Sequence, residues 1–133
     1  MPSTPTPILG LIIPTVGGDS NIWGNELNTN LQTIDQVGAT AIFSVSSNYT
    51  ATISKSPLTL IKVTTSGLTI NITMPDPATN TGKQYNIKKL DAGAGIVNII
   101  ATIDLQTSWQ LTNQFQCLGI TSNGVTYDVV SVA

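Results

Sequence analysis

From Thr40 onward, apolar and polar residues alternate with a period of two through most of the chain. That is the pattern of strands with one buried face and one wet face. Eight segments carry it: 40–47, 49–54, 58–65, 68–74, 84–90, 96–102, 115–122 and 125–132. Ser66-Gly67 and Asn123-Gly124 have the chemistry of tight turns. Segment 58–65 is therefore expected to pair back on 68–74, and 115–122 on 125–132, as hairpins. Pro75 and Pro77 end a strand and guard its edge. The stretch 103–109, IDLQTSW, carries no clear signal. No helical pattern interrupts these strands, so residues 39–133 are expected to form an antiparallel β-sandwich or barrel of about eight strands.

One segment breaks the alternation. Asn21 to Val37, NIWGNELNTNLQTIDQV, is the stretch that reads clearly as a helix. Leu27, Leu31, Ile34, Gly38 and Ala41 follow at steps of four, three, four and three residues. A seam this narrow suits another helix better than a broad globular core. Asp19, Ser20 and Asn21 are N-cap candidates, Glu26 suits the N-terminal dipole, and Gly38 supplies a stop. Nothing later in the sequence offers a second helix, so the simplest partner is another copy of the chain. Residues 20–38 are thus expected to be an oligomerising helix acting through Trp23, Leu27, Leu31 and Ile34. Asn28 and Asn30 flank the seam, either bonding between copies or standing as surface amides.

Residues 1–19 read as an extended arm. Pro2, Pro5, Pro7 and Pro14 disfavour helix and central strand. Among them lie Ile8, Leu9, Leu11, Ile12 and Ile13, too apolar to be left in water. Either they pack on the chain's own β-domain or a neighbouring copy, or, together with Pro14, they are the candidate residues anchoring the arm in a larger particle; extended, it reaches roughly 60 Å. The apolar run is too short to span a bilayer and lacks the basic flank of a secretion signal. No membrane insertion is expected, and synthesis is expected in the cytoplasm.

Composition narrows the function. The 133 residues are 41% hydrophobic but only 9% charged, against roughly a quarter in ordinary soluble proteins. Thr, Ser, Asn and Gln must supply the polar surface, as suits a rigid β-protein largely covered by copies of itself or by partners. A net charge of −2, with five lysines and no arginine, argues against nucleic acid as a partner. The absence of histidine removes the commonest base and metal ligand. The seven acids are scattered through caps and turns, and no catalytic or phosphate-binding motif is present. No enzyme activity, metal or cofactor is expected. Cys117 is the single cysteine, so no intrachain disulfide forms, and its apolar surroundings suggest a buried, inert thiol. Lys88 and Lys89 are adjacent, so a strand sends them to opposite faces; solvated lysines are expected, the alternative being that one of them forms an ion pair across a contact between copies.

The stretch PTVGGDSNIWGNELNTNLQTID resembles the W-G-x-x-L-N-x-N-x-x-x-I-D segment near the start of many tailed-phage fibre proteins. Trp23, Gly24, Leu27, Asn28, Asn30, Ile34 and Asp35 carry it. Residues 60–100 are similar to a phage fibre and spike module. It reads apolar strand, G-x-(I/V)-T-(L/M)-P, then G-K-x-Y-x-(I/V)-K-K, through Gly67, Ile72, Thr73, Met74, Pro75, Gly82, Lys83, Tyr85, Ile87, Lys88 and Lys89. Ser122, Asn123, Gly124 and Tyr127 resemble its closing hairpin, with Tyr127 where the family has Trp. The likeness covers most of residues 15–132. It implies a homotrimeric structural protein of a bacteriophage virion. With a single β-module, a head fibre, capsid decoration protein or small tail adaptor is expected rather than a long tail fibre. The implied partners are two further copies and the major capsid or tail protein, at the virion surface after assembly in the host cytoplasm. The alternative is a host-attachment module binding surface glycans, with Tyr49, Tyr85, Trp109 and Tyr127 as stacking candidates.

Overall fold

The computed structural model describes Thr4–Pro5 and residues 11–13, 23–53 and 56–133. The chain divides into two compact units, residues 1–39 and 40–133.

In the first unit, strand β1 (Thr4–Pro5) pairs antiparallel with β2 (Ile12–Ile13), Thr4 opposite Ile13 and Pro5 opposite Ile12. The two described pieces of residues 1–19 thus lie side by side as antiparallel strands. The physical reason is the need to satisfy backbone polar groups. Helix α1 (Trp23–Gly38) follows, close to the expected bounds. From it, Asn30 accepts from the Ile12 amide at 2.6 Å and donates to the Ile12 carbonyl at 2.8 Å. One side chain thus imitates a neighbouring strand. The N-cap candidates Asp19, Ser20 and Asn21 lie outside the described residues.

The second unit is all β apart from a short 3-10 turn at Pro77–Thr79. Its strands are β3 (Ala41–Val45), β4 (Tyr49–Thr50), β5 (Leu58–Val63), β6 (Thr69–Thr73), β7 (Gln84–Lys89), β8 (Ile96–Ile103), β9 (Gln106–Leu111), β10 (Cys117–Ser122) and β11 (Tyr127–Val132). They form a nearly closed, barrel-like sheet in the order β3-β5-β7-β10-β11-β8-β6-β4, with β9 also on β8.

The pairing is not the expected antiparallel one. β3, β5 and β7 run parallel to one another, as do β4, β6 and β8. Only β7·β10, β10·β11 and β8·β9 are antiparallel. The β10·β11 hairpin forms as expected, whereas β5 and β6 do not pair. The Ser66-Gly67 turn does form, with φ of 51° and 80°, and Leu68 donates to the Thr65 carbonyl at 3.0 Å. Beyond it the two strands part. Each carries one apolar face: Ile61 and Val63 on β5, Ile70 and Ile72 on β6. A flat hairpin would leave both sets on one face, requiring a further layer to cover them. Parted, they cover each other across the interior, and burial of each large aliphatic side chain stabilises the domain by about 1.5–3 kcal/mol.

The unit is therefore three stacked rungs, β3–β4, β5–β6 and β7–β8. Parallel register aligns their interior into columns. Phe43, Ile61 and Ile87 align on one side; Tyr49, Ile72 and Ile99 align on the other.

Asp91 ties the corners of the second and third rungs. Its carboxylate accepts from the Thr65 amide, the Thr65 hydroxyl and the Ser66 amide, each at 2.9 Å. These bonds, the Thr65 amide first, hold its carboxyl down to about 2. Lys89, expected in solvent, occupies the inward position beside Val63 and is fully buried. Its ammonium donates to the Asp91 carbonyl and lies 3.8 Å from the Asp91 carboxylate, the pairing a buried charge requires. Lys88 takes the outer face, with its Nζ 5.3 Å from the Phe115 ring centroid. Cys117 lies opposite Lys88 and is half-buried rather than buried, and desolvation raises its thiol pKa.

The far end of the core is polar but closed. Asn80 is buried, with its side-chain amide 2.9 Å from both the Tyr85 and Tyr127 hydroxyls. The amide orientation that suits its surroundings turns the oxygen to the hydroxyls and the nitrogen to the Pro77 and Asp76 carbonyls, at 3.0 and 3.2 Å. The Tyr127 hydroxyl also lies 2.7 Å from the Pro75 carbonyl and is shared between the two acceptors. Burial pushes the Tyr127 hydroxyl up to about 12, and raises that of Tyr85.

Two outcomes follow from this packing. A Cβ on Gly95 would stand 1.8 Å from Thr65 Oγ1 and 2.5 Å from Thr65 Cβ. Thr65 cannot rotate away without losing Asp91, so Gly95→Ala should cost about 1–3 kcal/mol or more, read as a lowered denaturant midpoint at unchanged m-value. For the tyrosines, the folded value lies above the unfolded value of about 10. Their contribution is complete below that pH and is lost as pH rises towards about 12. Melting temperature should fall across that interval, and less steeply in Tyr127→Phe, by circular dichroism.

Candidate functional site

Two features stand out on the surface of the described residues. The first is on α1. Leu27, Leu31 and Ile34 are 48%, 55% and 50% exposed. On the same helix Glu26 and Thr33 are buried and Asn30 is half-buried against β2. At 3.6 residues per turn, 26, 30 and 33 form one stripe and 27, 31 and 34 a second, roughly 100° around the helix. The polar stripe is the one used within the unit. The apolar stripe is turned outwards, the reverse of a helix lying on a core. Asn28 is exposed beside it, whereas Asn30 is committed to Ile12.

Trp23 opens α1; its side chain lies outside the described residues. Of the anchoring candidates, Ile8, Leu9 and Pro14 also lie outside them. Leu11 and Ile12 are half-buried, and Ile13 is placed by its backbone pairing with Thr4.

The second feature is a groove of about 450 Å³ lined by Gln106, Ser108, Trp109, Gln110 and Gln116. Trp109 is opposite Ile99 on β8 and half-buried against the core. Three consecutive residues of β9 line the groove because β9 pairs with β8 alone, leaving its second edge without a strand among the described residues. Gln116 comes from the loop before β10. Its Oε1 accepts from the Thr112 and Asn113 amides at 2.8 and 3.1 Å, which fixes the side chain in place. Gln106, Ser108 and Gln110 escape a sequence reading because they sit in or beside the stretch that carried no strand signal, and Gln116 because it lies in a loop where segment 115–122 was expected to be strand. The alternation in QTSWQL is the clue to the first three.

The other three stacking candidates fare differently. Tyr85 and Tyr127 are completely buried, their rings in a T-shaped contact at 6.2 Å, so neither offers a face to a ligand. Their hydroxyl groups explain the burial: Asn80 and Pro75 provide partners inside. Tyr49 is half-buried with its ring 6.2 Å from that of Phe43. The structure does not bring the four aromatics together.

Among the described residues, no three of the Cys, Asp and Glu side chains gather where a metal ion would sit. Asp91, Tyr85 and Tyr127, which have displaced pKa values, are all engaged in structural hydrogen bonds. No described helix is long and apolar enough to cross a membrane. No family model, no curated protein and no solved structure matches the chain.

Proposed function

We propose that this chain is a non-enzymatic structural protein of a bacteriophage virion. In this reading it is a homotrimeric head fibre or capsid decoration protein, held on the particle through its N-terminal segment. The observation that carries the reading is the outward apolar stripe of Leu27, Leu31 and Ile34. Three large aliphatic side chains in a row at steps of four and three need a matching row, and a second copy supplies an identical one. The β-unit adds to this. On its outer face Ile42 is exposed beside half-buried Leu60, its register neighbour. A chain only 9% charged keeps little of the surface that holds monomers apart.

The number three and the virion setting rest on the resemblance to phage fibre proteins. Its motif positions have structural work here. Gly67 and Gly82 adopt φ of 80° and 82°, Tyr85 and Ile87 are core, and Lys89 closes a corner. Partners in this reading are two further copies and a capsid or tail protein, at the virion surface. A second reading, a tail adaptor or host-attachment module, is favoured by the groove at Trp109.

The deciding variant is Leu31→Asp. Each copy would lose about 2–5 kcal/mol of apolar burial, and three carboxylates would meet at the seam. The expected result is a trimer for the parent and a monomer for the variant by light scattering, with the β-unit's circular dichroism unchanged. The variant should also be missing from purified particles that carry the parent protein. A Leu31→Asp trimer of normal stability removes the helical seam from the reading. Parent protein that never associates with particles removes the virion role.

A further inference from the structure

The groove along the free edge of β9 is built of neutral groups only. Its lining holds three amides, one hydroxyl and one indole, with no acid or base among them. Gln106, Ser108 and Gln110 make no side-chain hydrogen bond among the described residues, and the Nε2 of Gln116 is likewise unused while its Oε1 is pinned. Donors and acceptors are therefore presented to the space without being consumed by the fold. The groove, of about 450 Å³, is wide open to solvent and mostly polar, so a ligand there would lie across it and not be enclosed. A charged ligand would find no counter-charge there, and a wholly apolar one would strip water from four polar side chains without replacing their bonds.

We infer that this groove binds a neutral oligosaccharide, with one pyranose ring lying against the Trp109 indole. A neutral pyranose carries a face of C–H groups and a rim of hydroxyls. The indole supplies an apolar plane for the first, and the Gln106, Gln110 and Gln116 amides, with the Ser108 hydroxyl, are spread along the strand where they can meet hydroxyls of that ring and of the neighbouring sugar units. The pinned Gln116 side chain places its Nε2 without a further ordering cost. The free strand edge adds backbone donors and acceptors beside the ring. This assignment names the ligand class of the second reading above, and it stands on the groove alone. It survives a monomeric protein, and the trimer survives its failure.

The test is amide NMR on the full chain, titrated with maltotriose, cellotriose, mannotriose, chitotriose and lactose. Titration runs to about 20 mM, enough to load a site of millimolar Kd. Saturable shifts are expected for the Trp109 indole and the side-chain amides of Gln106, Gln110 and Gln116 with at least one of these sugars. Gln110→Ala should weaken that binding about tenfold, the loss of one well-placed hydrogen bond, with the rest of the spectrum unchanged. Trp109→Ala removes a side chain packed on the core and can fail to fold; the exposed Gln110 and Gln106 variants keep the test decisive. A trigalacturonate of the same length should bind more weakly than the neutral sugars. The inference is overturned if no sugar shifts these residues, or if the shifts centre elsewhere. It is also overturned if a Ser/Thr-rich extended peptide shifts the β9 backbone amides while the sugars do nothing, since the groove would then be a site of strand addition.

Discussion

The fold depends on one carboxylate. At the corner between β5 and β6 the chain must turn tightly and then send its two strands into facing walls. The amides of Thr65 and Ser66, left without strand partners by that divergence, point to Asp91 from the next rung. The same residue receives the ammonium of Lys89 through its carbonyl. A cluster of donors that would be costly to bury unpaired is thereby satisfied, and two rungs are locked in register. The in-register columns of the interior follow from that lock, as does the tight fit of Gly95 against Thr65.

Among the described residues the interior of the rungs is packed with Ile, Val, Leu, Tyr, Met and Ala side chains. Two exposed features among the described residues are the outward stripe of α1 and the groove beside β9, which has a single neighbouring strand. In the reading proposed above, the first suits an identical helix and the second a small neutral polar ligand. A protein built to present surfaces needs few charged groups, which accords with the sparse charge of the chain.

Strand positions were legible because alternation reports which residues face inwards, and Ile61, Val63, Ile70 and Ile72 obey it. Partner choice was not legible, because alternation is the same whether a strand's neighbour runs parallel or antiparallel. Ser66-Gly67 is a true tight turn, yet the strands it joins separate, so the local signal held and the inference drawn from it failed. Strand β9 escaped for the opposite reason. Its turn is Asp104-Leu105, with φ of 45° and 71° and no glycine. The position is held by contacts from a distance: the Asp104 amide donates to the Tyr127 carbonyl at 3.0 Å, and its carboxylate accepts from the Val129 amide at 3.2 Å. No rule of turn composition anticipates a leucine there. Trp109 was legible as an aromatic on a β-surface; its lining partners on β9 were not, because the strand carrying them was not. Tyr85 and Tyr127 misled because a tyrosine looks equally useful inside and outside until its hydroxyl's partner is known.

The stacking of rungs also bears on how the domain is made. Each parallel pair, β3·β5, β4·β6, β5·β7, β6·β8 and β8·β11, skips over at least one intervening strand. Each therefore closes a loop that contains a whole element, at an entropic cost no local turn repays. The hairpins β8·β9 and β10·β11 close across a few residues. They follow the first two rungs in the sequence. The early rungs therefore emerge from the ribosome as apolar strands with open edges, before the locally closed hairpins do. For such a chain, contact order sets the pace of folding, and the time spent with open edges is the time in which copies of one chain can find each other.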